Sequence, residues 1–192
     1  VDDPSDVLVD TLRDDAADRT PGDAADRALG DAAVALTLEL VAIDSVNPGL
    51  VPGAAGEAAA VDHLRSRLQA SGFETHVITP TGLDHRPSLV AIAPGEHPGP
   101  TVVLTGHLDT VGVEGMPHPF TPAVEGDRLT GRGSSDMKGG VAAMVVAAEE
   151  LVRRAVPGRV VLALVADEED ASLGAEAVLA ADSANRFALD LK

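Results

Sequence analysis

The sequence predicts a layered α/β sandwich, and three observations carry that expectation. Two almost wholly apolar runs of strand length, Thr101–Thr105 and Arg159–Ala166, alternate with helix-length segments. With 45% apolar residues in 192, the chain can bury the core of one compact domain. Gly/Pro-containing breaks at 47–49, 99–100 and 126–127 punctuate the pattern where elements should end.

The elements follow in order. Residues 1–30 are mostly Asp, Ala and Arg with a break at Thr20-Pro21-Gly22, and read as an acidic, partly disordered arm. From Asp31 the pattern changes. Val34, Leu36, Leu38, Leu40, Val41 and Ile43 make a helix-length run ending before Asn47-Pro48-Gly49. Glu57–Ala70 reads as an amphipathic helix with Val61, Leu64 and Leu68 on one face and Gly72 as its stop. Phe73–Thr79 and Ser88–Ala93 read as strands separated by the turn-rich 80–87 segment. Thr101–Thr105 has the composition of a strand covered on both faces. Ala123–Thr130, with Gly126-Asp127 at its centre, reads as a β-hairpin. Met137–Val152 is apolar on nearly every side, which predicts a buried helix, and Ser172–Ala180 predicts a closing one. The expected domain division is therefore a flexible arm over 1–30 and a folded unit over 31–192.

Charge and composition exclude several function classes. There are 31 acidic against 14 basic side chains, a net of −17, which would repel a nucleic-acid backbone and an anionic membrane surface. With no cysteine, disulfides, thiolate metal sites and thiol nucleophiles are excluded, so any metal must be held by His and carboxylate. No apolar run approaches the roughly 18 residues of a membrane span, and no signal peptide opens the chain. The expectation is a cytoplasmic protein that binds neither nucleic acid nor membrane.

Topology says where the polar clusters should meet. If strands 101–105 and 159–166 are parallel and joined through helix 137–152, both strands end, and the helix begins, at one edge of the sheet. Ligand sites in open α/β sheets lie at that edge. His107 and Asp109 follow the first strand, Asp136 precedes the helix, and Asp167, Glu168 and Glu169 follow the second strand. So many carboxylates cannot share a site and all stay ionised without a cation. Imidazole with carboxylate and no thiolate suits Zn²⁺, Mn²⁺ or Co²⁺.

Each residue has a plainer reading beside this one. His107 can be an ordinary structural histidine, although its place after a buried strand and beside Gly106 favours a ligand with Asp109 orienting the ring. Asp136 can be a helix N-cap. Four glycines in GRGSSDMKGG (131–140) point instead to tight backbone geometry near a ligand. Their spacing fits neither the phosphate-binding loop nor the dinucleotide fingerprint. Glu168 and Glu169 can be a solvated acidic turn. Adjacent residues leaving a strand point in different directions, so one can bind metal while the other acts as a general base.

Taken together, SVNP (45–48), GHLDTV (106–111), HPFTP (118–122), GRGSSDMKGG (131–140) and ADEEDASLGA (166–175) resemble the M20 family of metallopeptidases and deacylases. That family includes aminoacylases, acetylornithine deacetylase and succinyl-diaminopimelate desuccinylase. The motifs stand in family order over about residues 34–180, and the last leans toward the acetylornithine-deacetylase-like branch. The resemblance implies a three-layer α/β/α sandwich with a mostly parallel mixed sheet of the zinc-exopeptidase kind. It implies two divalent metal ions, most often zinc, with His107 and Glu169 as terminal ligands and Asp136 bridging. Asp109 would orient His107 and Glu168 would be the general base. The peptide after the bridging Asp is often cis in this family.

The implied reaction is cleavage of an amide bond in a small N-acyl amino acid or dipeptide by a metal-activated water. Family members are usually much longer, with a lid domain through which they dimerise, a further carboxylate ligand and a late histidine ligand. Asp190 falls a few positions early for that carboxylate, and no histidine follows His118. The expectation is a truncated catalytic domain with an incomplete site, inactive by itself and with part of its sheet uncovered. The alternative is a degenerate, non-catalytic relative.

Overall fold

The computed structural model describes residues 21–83, 85–95, 98–184 and 187. In chain order the elements are α1 (Pro21–Val41), α2 (Ala58–Ala70), β1 (Glu74–Ile78), β2 (Ser88–Pro94), β3 (Thr101–His107), β4 (Ala123–Glu125), β5 (Arg128–Thr130), α3 (Gly139–Arg153), β6 (Arg159–Val165) and α4 (Leu173–Ser183).

Helix α1 starts ten residues before Asp31, so part of the expected arm is helical. Pro21 stands at its first position, where a fixed φ and a missing N–H are tolerated. The Ala-rich run behind it favours helix even with few apolar anchors. Leu29, Ala32 and Ala33 pack against the core. Residues 1–20 of the expected arm, and Asp190, lie outside the described residues.

One four-stranded sheet runs in the order β1-β2-β6-β3. β1–β2 and β2–β6 are antiparallel, while β3–β6 is parallel, in register from Thr101↔Arg159 to His107↔Val165. The sheet is mixed as expected, but among the described strands only one pairing of three is parallel. The reason lies in the connections. A short turn-rich loop joins β1 to β2, whereas only β3 and β6 are linked through a helix. β4 and β5 form the hairpin excursion, a separate two-stranded sheet turning at Gly126 (φ +63°).

Alternation along β6 builds the two sides of the core. Val160, Leu162 and Leu164 face α1, α2 and α3, and Val161, Ala163 and Val165 face α4, so the sheet lies between two helical layers. Burying such a strand on both faces is worth roughly 1.5–3 kcal/mol per large apolar side chain. Within α3, Val141, Val145 and Val146 are buried while Ala143 and Ala147 face solvent, a narrower apolar contact than its composition suggested.

β3 departs from expectation. Among the described strands it lies at the edge with β6 as its one neighbour, and Thr101, Val102 and Thr105 are exposed rather than covered on both faces. Beside it an apolar groove of about 290 Å³ opens between Val103, Ala163, Val165 and the α4 residues Val178 and Leu179. Among the described residues, no helix is long and apolar enough to cross a membrane.

Candidate metal centre

The parallel β3–β6 pairing brings the ends of both strands to one edge, and Leu108 extends the ladder by donating to the Val165 carbonyl. His107 ends β3 and is 5% exposed. Its backbone N–H donates to the Met137 sulfur at 3.3 Å. Gly106 permits that approach, because a Cβ there would lie 2.6 Å from the Met144 Cε and 2.9 Å from the Met137 Cε. The His107 ring is held at both nitrogens. Nδ1 lies 3.0 Å from the Asp109 main-chain oxygen and 3.5 Å from its carboxylate, and Nε2 lies 3.1 Å from Asp136 Oδ1 and 3.7 Å from Glu168 Oε2.

Asp136 is not an N-cap. It sits inside the turn Ser134–Lys138 with extended φ −127°, ψ 100°, and α3 starts at Gly139 with no side-chain cap. The Asp136–Met137 peptide is cis. Two contacts shape this turn. Gly133 (φ +80°) approaches Thr110 and Lys138 so closely that a Cβ would lie 2.8 Å from the Thr110 Cγ2. Lys138, 1% exposed, donates through Nζ to the carbonyls of Leu40 and Ile43 at 2.9 and 2.6 Å, tying the turn to the end of α1, where Leu40 also accepts from Ile43 N. Burial pulls its ammonium down to about 8, against the attraction of Asp44.

Asp109 does more than orient His107. Its buried carboxylate accepts the backbone N–H of Glu168 on Oδ1 and that of Glu169 on Oδ2, each at 3.0 Å, and Asn47 Nδ2 donates to Oδ2 at 2.7 Å. Asn47 reaches this place because residues 45–47 run alongside 108–110: Asn47 N donates to the Thr110 carbonyl and Thr110 N to the Ser45 carbonyl. Burial opposes the Asp109 charge, but bonds from His107, Glu169, Glu168 and Asn47 hold its carboxyl below the ordinary range.

The site concentrates negative charge. One ligand atom each from His107, Asp136 and Glu169 lie within 4.8 Å of one another. Glu169 is pushed up by burial and then by repulsion from Asp136, against the pull of His107. Burial works against a charged His107, yet bonds to Asp109 and Asp136 and the attraction of Asp109 and Glu168 outweigh it and raise the ring to about 9. A proton on His107 thus stands where a cation is favoured. Imidazole nitrogen and carboxylate oxygen from three separate elements are the donor set of a hard-to-borderline divalent ion, so these residues fit a metal.

Behind the Glu pair lies a buried ionic group that sequence reasoning missed. Arg86 bonds Glu57 and Asp167, and Asn47 Nδ2 also donates to Asp167 at 3.2 Å. Arg86 lies in the turn-rich segment before β2, Glu57 just precedes α2, and Asn47 sits in SVNP without an evident role. Separations of 29, 81 and 120 residues give no periodic signal by which to pair them.

The profile described as Peptidase family M20/M25/M40 matches residues 103–191, the stretch that carries His107, Asp109, Asp136, Glu168 and Glu169. Over that stretch the chain is similar to this family. Among its M20 relatives, the succinyl-diaminopimelate desuccinylase of Leptothrix cholodnii is 40% identical over 144 residues, covering 71% of this chain and 36% of that protein. The desuccinylase of Dinoroseobacter shibae is 35% identical over 164 residues, covering 82% and 41%. The chain thus spans well under half the length of the curated relatives it matches. Both carry the desuccinylase name, whereas the form of ADEEDASLGA leans toward the acetylornithine-deacetylase-like branch.

Solved M20-type structures share the α/β fold. Human carnosine dipeptidase 1 superposes with a TM-score of 0.66 at 22% identity, covering 84% of this chain and 37% of that one. A Bacillus subtilis protein described as a dinuclear metal binding peptidase of the M20 family gives 0.58 at 18%, covering 83% and 41%.

Proposed function

We propose that these residues form part of a two-metal amide hydrolase, and that residues 31–192 with the start of α1 are the N-terminal portion of its catalytic domain. The observation that carries this is the meeting of one ligand atom each from His107, Asp136 and Glu169 within 4.8 Å, with Glu168 at the same edge. In this reading His107 and Glu169 would be the terminal ligands of two divalent ions, and Asp136 would be the ligand they share. Zinc is favoured, with cobalt or manganese as substitutes. Further ligands come from parts of the longer protein, as does the lid through which it dimerises.

When bound, the metal pair supplies Lewis acidity toward the scissile carbonyl. Glu168, half-exposed on the solvent side, takes the proton of the attacking water and delivers it to the departing nitrogen. Asp109 keeps Glu168 and Glu169 at fixed backbone positions and holds Nδ1 of His107, so that Nε2 points into the site. The substrate is a small N-acyl amino acid or dipeptide. The desuccinylase names of the relatives support an acylated diamino acid within that class.

The test is metal analysis and an N-acyl amino-acid panel on the full-length gene product. Two bound divalent ions with amide hydrolysis are expected, and Glu168→Ala should abolish turnover while keeping both ions. Loss of metal in that variant would exchange the roles of Glu168 and Glu169. A metal-free, inert protein would end the proposal.

A further inference from the structure

Arg86 is 3% exposed and belongs to none of the motifs. Its Nη2 and Nε donate to the two Glu57 oxygens at 2.6 and 3.2 Å, and its Nη1 donates to Asp167 Oδ1 at 2.6 Å. Glu57, fully buried, turns back on the same residue and accepts the Asp167 backbone N–H at 3.2 Å. Asp167 Oδ2 accepts from Leu173 N at 3.3 Å, and its main-chain carbonyl accepts from Ser172 N. Every polar group of Asp167 is therefore engaged.

This concentration of bonds falls on a backbone that needs it. Asp167 has φ +66°, in the left-handed region that a non-glycine residue holds only when its surroundings over-determine it. The next two residues are Glu168 and Glu169. Their N–H groups sit on the two oxygens of Asp109, so the strand exit is clamped from the front by Asp109 and from behind by Arg86. The two clamps meet at Asn47, whose Nδ2 reaches both Asp109 and Asp167.

Stability alone is a weak account of the rear clamp. Two buried carboxylates on one guanidinium leave an excess of negative charge beside a site already rich in it, and apolar residues of equal volume stabilise a core at least as well. What an apolar trio lacks is direction. The rigid fork of Arg86 spans Glu57 and Asp167 together and fixes the orientation of residue 167, and with it the direction in which the following side chains leave β6.

We infer that Arg86 is a positioning residue for the metal centre, acting through Asp167 to set the backbone from which Glu168 and Glu169 project. The inference rests on the metallohydrolase reading for its consequence, and on the geometry of residues 57, 86 and 167 for its cause.

The experiment uses the full-length gene product with Co²⁺ alone as the probe, comparing wild type, Arg86→Lys and Glu57→Gln. Lysine keeps the charge and loses the fork. A folded Arg86→Lys is expected to bind Co²⁺ tenfold or more weakly, the usual consequence of removing a residue that orients a ligand. Its visible absorption should change in shape, and amide exchange at Glu168 and Glu169 should quicken relative to the β2–β6 ladder. Glu57→Gln should shift the same readouts in the same direction by less. A folded Arg86→Lys with unchanged Co²⁺ affinity, spectrum and local exchange overturns the inference. If that variant does not fold, Glu57→Gln decides by the same three measurements. If wild type binds no Co²⁺, the metallohydrolase reading falls, and amide exchange at 168 and 169 alone decides whether Arg86 positions them.

Discussion

The carboxylates of the candidate centre are supported in two different ways. Glu168 and Glu169 leave a strand whose exit is buried, with Asp109 in front and Asp167, Arg86 and Glu57 behind, all at most 3% exposed. Asp136 projects from a turn whose own side chain is 75% exposed and whose support comes from below, through Lys138 on the end of α1 and the close approach of Gly133 to Thr110. The strand exit is thus held by ion pairs and the turn by backbone shape. The first is sensitive to charge and the second to volume. A site that must gather several anions gains from this division, because only one flank buries further carboxylates behind it, while the buried ammonium of the other is bonded to carbonyls.

The largest effect that separates the two supports should come from Asp109→Ala. It removes the acceptor for Glu168 N–H, Glu169 N–H and Asn47 and leaves His107 without its carboxylate, so unfolding in urea should show a loss of about 3–5 kcal/mol together with loss of metal. A loss below about 1 kcal/mol would mean that the strand exit is held by packing alone.

Next in size is a pH effect on the same flank. His107 is raised from 6.5 to about 9, so its contribution to the stability of the metal-free protein is complete below pH 6.5 and is lost as pH rises through 9. Metal binding must displace that proton. The Co²⁺ affinity is therefore expected to climb about tenfold per pH unit up to pH 9 and then to level off. A flat profile between pH 7 and 9 would mean that His107 is already neutral or is not a ligand.

Lys138→Met tests the other flank. It removes the ammonium donor from the Ile43 carbonyl and leaves the Leu40 carbonyl with the Ile43 N–H alone, and a loss of about 1–3 kcal/mol in thermal unfolding is expected. Metal affinity should weaken with it as the Asp136 turn relaxes. Unchanged affinity would show that the glycines alone shape the turn. Smallest in stability is Asp136→Ala, within about 0.5 kcal/mol because the side chain is exposed, yet it should abolish metal binding. A clear stability loss would mean that Asp136 supports the fold as well.

Much of this centre was legible from residues alone. Short apolar runs announced β3 and β6, and a helix-length segment between them implied a parallel crossover. The carboxyl-edge rule places His107, Asp136 and the Glu pair together, and the structure brings them to one edge. The start of α1 was not legible, because Ala- and Asp-rich sequence reads as solvent-exposed whether helical or not. The openness of β3 was not legible either. Apolar composition says that a strand can be covered, and only its neighbours decide whether it is.

What the sequence by itself determined is the order of elements, the crossover and the edge at which the acidic groups gather, since all three follow from local periodicity and chain connectivity. Tertiary structure alone decided how Asp109 divides its oxygens between two backbone N–H groups and how Arg86 joins Glu57 to Asp167 across 110 residues of chain. Polar side chains in loops carry no period. Whether one is solvated or buried in an ion pair depends on what the rest of the fold brings to within 3 Å of it.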